Sequence, residues 1–179
     1  MRLVELYKKE ITPRLKEKFG YTNVMDVPRI TKVSINVGVG RHSKDKAYIA
    51  DVVKNLTDIS GQKSMVVKAR KSIAAFKVRE GDSVGVAVTL RGQKMYDFLD
   101  KLINVTFPRV RDFRGISAKR IDRQGNITMG FKDQTAFPEI KIENVDRTHG
   151  LEISIATTAK NQEEGHELLS LLGLPFSKN

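Results

Sequence analysis

An α+β domain, with helices packed on one face of an antiparallel-rich sheet and the opposite face left open, is the fold class predicted by this 179-residue sequence. Three observations carry that reading. Several short stretches alternate apolar and polar residues with the two-residue period of a half-buried strand. Others repeat apolar residues every three or four positions, as the buried face of a helix does. No repeat, linker or low-complexity segment separates them, so residues 1–179 read as a single domain of ordinary size.

The elements follow in order. Leu3, Tyr7, Ile11, Leu15 and Phe19 recur every four residues and Gly20 ends the run, so residues 2–19 read as a helix that Pro13 should bend. Val33, Ile35, Val37 and Val39 alternate with Lys32, Ser34, Asn36 and Gly38, which predicts a strand. A second helix is expected from about Asp45 to Ser60, with Ile49, Val52, Val53, Leu56 and Ile59 on its apolar face and Gly61 placed to cap it. A short strand from Ser64 to Lys68 follows. Residues 69–82, ARKSIAAFKVREGD, show neither period and carry Arg70, Lys71, Lys77 and Arg79, so they read as a long, mobile, basic loop. Val84, Val86, Val88 and Leu90 alternate with Gly85, Ala87, Thr89 and Arg91, giving another strand.

Met95, Phe98, Leu99, Leu102 and Ile103 then mark a helix that Pro108 should stop. Next comes PRVRDFRG, whose Arg109, Arg111 and Arg114 place fixed charge just after that helix; if the stretch is extended, Arg109 and Arg111 share a side while Val110 and Phe113 pack inward. The alternative is that Asp112 and nearby acids neutralise these arginines internally. Ser117 to Ile121 and Asn126 to Phe131 read as a hairpin around Gly125. Leu151, Ile153, Ile155 and Thr157 mark a last strand, and a helix opens near Asn161, with Glu163 and Glu164 at its positive end and Gly173 and Pro175 closing it.

Charge narrows the function classes. The chain holds 32 Lys+Arg against 21 Asp+Glu, a formal charge of +11, which favours a polyanionic partner such as nucleic acid. The excess is uneven: residues 61–123 hold 15 basic and 6 acidic residues, whereas residues 124–179 hold 5 and 8. That polarity suits a molecule that presses one region on nucleic acid and offers the other to a basic protein. No apolar run reaches the roughly 20 residues of a membrane span, and MRLVELYKKE reads as amphipathic helix instead of a signal peptide, so a cytoplasmic protein without a membrane partner is expected. With no cysteine in the chain, disulfides, thiolate metal sites and cysteine nucleophiles are excluded.

Catalytic signals are weak. NVGVGRHS, at 36–43, has G-x-G between a strand and a helix, but Ser43 stands where a dinucleotide fingerprint has its third small residue; a tight strand-to-helix turn at Gly38 and Gly40 explains it more simply. His42, His149 and His166 lie in no metal-ligand spacing and read as surface histidines. No nucleophile-and-base pattern stands out, so no enzyme activity, small-molecule substrate, cofactor or metal is expected.

The open sheet face is more informative. Opposite the aliphatic rows stand Lys32, Ser34, Asn36, Gly38, Gly85, Ala87, Thr89 and Arg91, which are small, polar or basic with no acid among them. Small residues let a phosphodiester backbone approach closely, while Asn and Thr can bond ribose hydroxyls and base edges. Arg91 can hold a phosphate through two parallel hydrogen bonds. Without exposed aromatics such a face reads RNA shape more than stacked bases. An ordinary solvated sheet face would show the same alternation.

The blocks NVGVG (36–40), SGQK (60–63), ARKSIAAFKVREG (69–81), VTLRG (88–92), PRVRDFRG (108–115), FPEI (137–140) and TTA (157–159) are collinear over nearly the whole chain. This series resembles the bacterial family of large-subunit ribosomal protein number five. The resemblance implies a non-enzymatic protein of the central protuberance that binds 5S rRNA and helps attach it to 23S rRNA. It implies that Asn36, Gln62, Thr89 and Arg91, with Lys32, Ser34 and Lys63 beside them, contact 5S rRNA. The loop, through Arg70, Lys71, Ser72, Phe76, Lys77 and Arg79, would reach the peptidyl-site tRNA and 23S rRNA. Arg109, Arg111 and Arg114 would meet rRNA or the subunit interface, and small-subunit ribosomal protein number thirteen would be a bridging partner. The chain departs from the family pattern at IDRQGNI (121–127) and KIENVD (141–146). Two other classes stay open on residues alone: a general basic nucleic-acid-binding module, resting on charge, and a nucleotide-binding enzyme, resting on Gly38 and Gly40.

Overall fold

A computed structural model describes residues 2–140 and 147–177; the KIENVD departure lies outside the described residues. Among the described residues five strands, β1 (Ile30–Gly38), β2 (Met65–Lys68), β3 (Ser83–Leu90), β4 (Ile127–Phe131) and β5 (Leu151–Thr157), form a sheet in the order β2-β3-β1-β5-β4. The pairings are antiparallel: the N–H of Val39, just past β1, donates to Val84 O at the start of β3, and the N–H of Thr158, just past β5, donates to Arg29 O ahead of β1. The helices are α1 (Arg2–Leu6), α2 (Thr12–Phe19), α3 (Lys46–Ser60), α4 (Gly92–Lys101), α5 (Phe107–Arg109) and α6 (Gln162–Leu171). The expected α+β class is the one found.

Two compact units share the chain. The first comprises Met1–Val33, Leu90–Met129 and Ser154–Asn179; the second comprises Ser34–Thr89 and Gly130–Ile153.

In the first unit both prolines inside helices are accommodated in one way. A widened π-turn, Tyr7–Ile11, joins α1 to α2, and the N–H of Thr12, the residue before Pro13, reaches back five residues to Tyr7 O. The turn Leu102–Thr106 joins α4 to α5, and Phe107, before Pro108, donates likewise to Leu102 O. A proline ring crowds the carbonyl four residues earlier, and adding a residue to the preceding turn shifts that carbonyl aside. Pro108 therefore does not stop the helix, which runs through it to Arg109 before Val110 turns extended. Leu3, Ile11 and Leu15 on the first helical run and Met95, Phe98, Leu99 and Leu102 on the next are buried, each side chain contributing about 1.5–3 kcal/mol.

The expected strand at Ser117–Ile121 is instead a short 3-10 turn, Ala118–Arg120. Ser117 Oγ accepts the N–H of Lys119 and Asp122 Oδ1 accepts the N–H groups of Gln124 and Asn126, so side chains supply the partners a strand ladder would have given. A single bridge, Ile121 to Ile127, remains of the hairpin, while Ile116 pairs with Phe176 in the C-terminal segment. Helix α6 starts as expected: Asn161 Oδ1 accepts the Glu164 N–H at 2.8 Å, and the Glu164 carboxylate accepts the Lys160 N–H at 2.8 Å.

In the second unit Val52, Leu56 and Ile59 of α3 are buried, Asp45 caps its start by accepting the Tyr48 N–H, and Gly61 ends it in the left-handed conformation at φ +64°. His149 is not on the surface: it is 6% exposed, its backbone N–H donates to Gln134 Oε1 at 2.6 Å, and its Nε2 lies 3.5 Å from Asn55 Nδ2. Burial holds its imidazole pKa below the usual histidine value. His166 is half-buried, its ring against Phe176, while His42 is exposed against Tyr48.

Candidate nucleic-acid interface

The outward row of β1 is built by strict alternation. Val33, Ile35 and Val37 are fully buried, which turns Lys32, Ser34, Asn36 and Gly38 to the other face; Lys32 and Asn36 are exposed and Ser34 is half-buried. On β3 the buried row is Val86, Val88 and Leu90, leaving Thr89 exposed and Ala87 half-buried. Arg91 follows with extended backbone (φ −139°, ψ 165°) and is exposed. Lys32 and Arg91 belong to the first unit; Ser34, Asn36, Gln62, Lys63 and Thr89 belong to the second.

Within the second unit the structure brings four of the predicted residues onto adjoining elements. Gln62 Nε2 donates to Thr89 O at 3.2 Å, tying the turn after α3 to β3. That turn is itself braced, since Ser60 Oγ donates to Gln62 O and Ser64 Oγ donates to Val53 O. Asn36 lies beside Gly85: a Cβ there would sit 3.3 Å from Asn36 Oδ1, so glycine gives the amide its room. Lys63, next to Gln62, is exposed. None of Lys32, Lys63 and Arg91 forms an ion pair with a described residue, so their charge is available to a polyanion.

Two residues on this face escaped the sequence reading. The register pairs Met65 with Ala87 and Val67 with Gly85, which sets both on the open side, 65% and 37% exposed. The alternation of β2 alone is too short to choose its face; the pairing with β3 chooses it.

Residues 69–82 form a self-braced hairpin. The Ala69 N–H donates to Asp82 O, the Gly81 N–H donates to Ala69 O, Ile73 pairs with Val78, and Ser72 Oγ accepts the Glu80 N–H at 2.9 Å. A 3-10 turn, Ala74–Phe76, and Lys77 at φ +53° make the tip. Arg70, Lys71, Ser72, Phe76, Lys77 and Arg79 lie along it, with Phe76 at the tip 75% exposed. The missing period has a physical reason: with both sides of the hairpin largely in solvent, nothing selects an apolar row.

The arginine stretch is not extended. Arg109 closes the helical run, Asp112 adopts φ +54°, and Phe113 stacks on Phe107 at 4.9 Å between ring centroids. Arg109, Arg111 and Arg114 are exposed and form no ion pair with a described residue, Asp112 included.

The G-x-G segment does not make a phosphate loop. Gly40 opens a 3-10 turn ending at His42, and α3 begins only at Lys46, its N-terminus already taken by the Asp45 carboxylate. Neither Gly38 nor Gly40 adopts a positive φ, and a Cβ at either would meet nothing within 4 Å, so the turn itself does not require them. Among the described residues no cluster of His, Asp and Glu is placed to hold a metal ion, and no helix is long and apolar enough to cross a membrane.

Residues 23–79 match the family model for ribosomal protein L5, and residues 83–176 match the model for the C-terminus of the ribosomal L5 family. The chain is 55% identical to a large ribosomal subunit protein uL5 of Desulfatibacillum aliphaticivorans, over 96% of each chain. It is 54% identical to that of Pediococcus pentosaceus, over 99% of this chain and 98% of the other, and 51% identical to that of Halothermothrix orenii, over 98% of both. With both halves matched and identity above 50% across almost the full length, the chain belongs to the ribosomal protein L5 (uL5) family.

Proposed function

We propose that this ribosomal protein, which is not an enzyme, is a constituent of the large subunit of the cytoplasmic ribosome that binds 5S rRNA through the open sheet face and helps attach it to 23S rRNA in the central protuberance. The observation that carries the reading is the make-up of that face. On β1 and β3 the outward residues Lys32, Ser34, Asn36, Gly38, Ala87 and Thr89 are small, polar or basic, with Gly85 of the same β3 row buried; no acid interrupts them, and Lys32, Lys63 and Arg91 pair with no acid among the described residues. Asn36 and Thr89 supply groups that can both donate and accept, Gln62 is held against Thr89 through its Nε2, which leaves its Oε1 to accept from a ribose hydroxyl, and Lys32, Lys63 and Arg91 supply charge. An A-form duplex or structured loop presents phosphates and 2′-hydroxyls, the groups such a face can bond.

The hairpin at 69–82 carries Arg70, Lys71, Lys77 and Arg79 on a narrow projection, which suits contact with 23S rRNA and the peptidyl-site tRNA. The exposed Arg109, Arg111 and Arg114 suit rRNA or the subunit interface, and the acidic balance after residue 123 suits a basic protein such as small-subunit protein number thirteen.

A salt-dependent titration against 5S rRNA, with tRNA and duplex DNA of matched length as competitors, tests the reading. A preference of about a hundredfold for 5S rRNA, about 2.7 kcal/mol, is expected. Equal binding of all three, released together as salt rises, would reduce the protein to a general basic module.

A further inference from the structure

Resting on the 5S rRNA reading, we infer that Met65 and Val67 form an apolar shelf that receives an unstacked nucleobase of the RNA, so that the face reads a splayed-out base as well as backbone shape. The shelf is a product of register. Met65 stands opposite Ala87 and Val67 opposite Gly85, and Asn36 Oδ1 lies against Gly85, so the open side across β2, β3 and β1 carries two exposed apolar side chains, then two of the smallest residues, then an amide. The two tall side chains stand above the small residues beside them, the half-buried Ala87 next to Met65 and the buried Gly85 next to Val67, which leaves their apolar flanks open to a flat ring.

Folding alone gives no reason to expose these side chains. Met65 at 65% exposure leaves most of its apolar surface in water, while the other row of the same strand, Val66, is half-buried opposite the fully buried Val86. Charge points to the occupant. Lys63 and Lys68 stand at the two ends of the shelf, both exposed and neither in an ion pair with a described residue, and no acid lies on β2 or β3. A partner that is apolar on its faces and anionic along its backbone matches this set, and a single-stranded nucleotide is such a partner. A polarizable thioether suits a ring face where no aromatic is available. Strand β2 is also the edge of the sheet, so its outer main-chain groups have no strand partner and lie beside the base they would read.

The test compares M65S/V67S with wild type, M65L and N36A, titrating each against full-length 5S rRNA at several salt concentrations, with base-directed and backbone-directed chemical probing of the complexes. Both shelf residues are exposed, so the fold should hold, and M65L reports on apolarity alone. The expected result is an affinity about tenfold lower for M65S/V67S, near wild type for M65L, with an unchanged slope of log affinity against log salt because every phosphate contact remains. One unpaired base should lose its protection while backbone protection remains. Affinity within twofold of wild type for M65S/V67S, with N36A still weakened, would overturn the shelf and leave the 5S rRNA reading standing. A salt slope that falls with the shelf mutations would also overturn it, by making the contact one to phosphate. If wild type prefers 5S rRNA no more than duplex DNA, the underlying reading fails and the shelf fails with it.

Discussion

Replacing Gly165 by alanine should unlock the N-terminal end of α6. A Cβ at residue 165 would meet the Cα of Gly125, and would sit 2.5 Å from Gly125 O and 2.8 Å from Gly125 C. Favourable contacts between carbon and its neighbours lie at about 3.5 Å, so the backbone must retreat by about 1 Å. It resists doing so. Residue 125 lies in a turn whose flanking Gln124 and Asn126 N–H groups are both held by Asp122, and whose carbonyl accepts Thr157 Oγ1 at 3.1 Å. Overpacking against fixed structure costs about 1–3 kcal/mol. Alanine recovers up to about 1 kcal/mol of helix propensity. The clash wins because the obstacle is main chain and not the end of a flexible side chain, leaving a net loss of about 1–2 kcal/mol, or about 2–8 °C in Tm for a chain of this size. Thermal unfolding followed by circular dichroism measures it, with Gly130→Ala as the control. Gly130 lies on β4 at an ordinary φ with nothing within 4 Å of its Cβ, so alanine there should be neutral or stabilise by about 0.4–1 kcal/mol. If Gly165→Ala melts at or above wild type, the close seating of α6 on the 122–126 turn is not a constraint and the reasoning fails.

Further outcomes follow from the same structure. Thr89→Ala with Arg91→Ala should weaken 5S rRNA binding by about 2–4 kcal/mol, the loss of one neutral and one charged hydrogen-bonding group, without lowering Tm, since both residues are exposed; wild-type affinity in the double mutant would remove the sheet face from the interface. Arg109→Ala with Arg111→Ala should reduce the salt slope of RNA binding by about 0.7–0.9 for each phosphate no longer neutralised, measured by titration alongside subunit assembly; no change in either would leave these arginines without an RNA role. His149 is buried and its pKa is lowered, so the unfolded chain binds a proton that the folded chain refuses. The stability tied to this histidine is therefore complete above its unfolded value, near pH 6.5, and is lost as pH falls below that, by at most about 1.4 kcal/mol per pH unit. Urea unfolding midpoints from pH 7.5 to 5 should fall more steeply for wild type than for His149→Gln, and parallel curves would rule the histidine out as the acid-sensitive group.

By itself the sequence determined whatever depends on neighbours along the chain. Alternation at 33–37 and 86–90 named the strands and their buried rows correctly, because burial on one side imposes a period of two on any strand. Gly20, Gly61 and Gly173 marked helix ends because each stands at a positive φ that other residues reach at a cost. The polar face of β1 and β3 was legible for the same reason as the strands: it is what remains when the aliphatic row is taken inward.

What tertiary structure alone decided depends on groups far apart in sequence. Ser117–Ile121 carries enough apolar character to suggest a strand, but the partner for that region is the C-terminal segment at Phe176, and local side-chain acceptors take over the expected hairpin. Pro108 is a helix breaker in isolation, yet a widened turn before it lets the helix continue to Arg109. His149 looks like any polar residue before a glycine until Gln134 and Asn55 enclose it. The outward aim of Met65 and Val67 follows from cross-strand register with β3, which a four-residue strand cannot announce because either of its faces is equally consistent with its own residues.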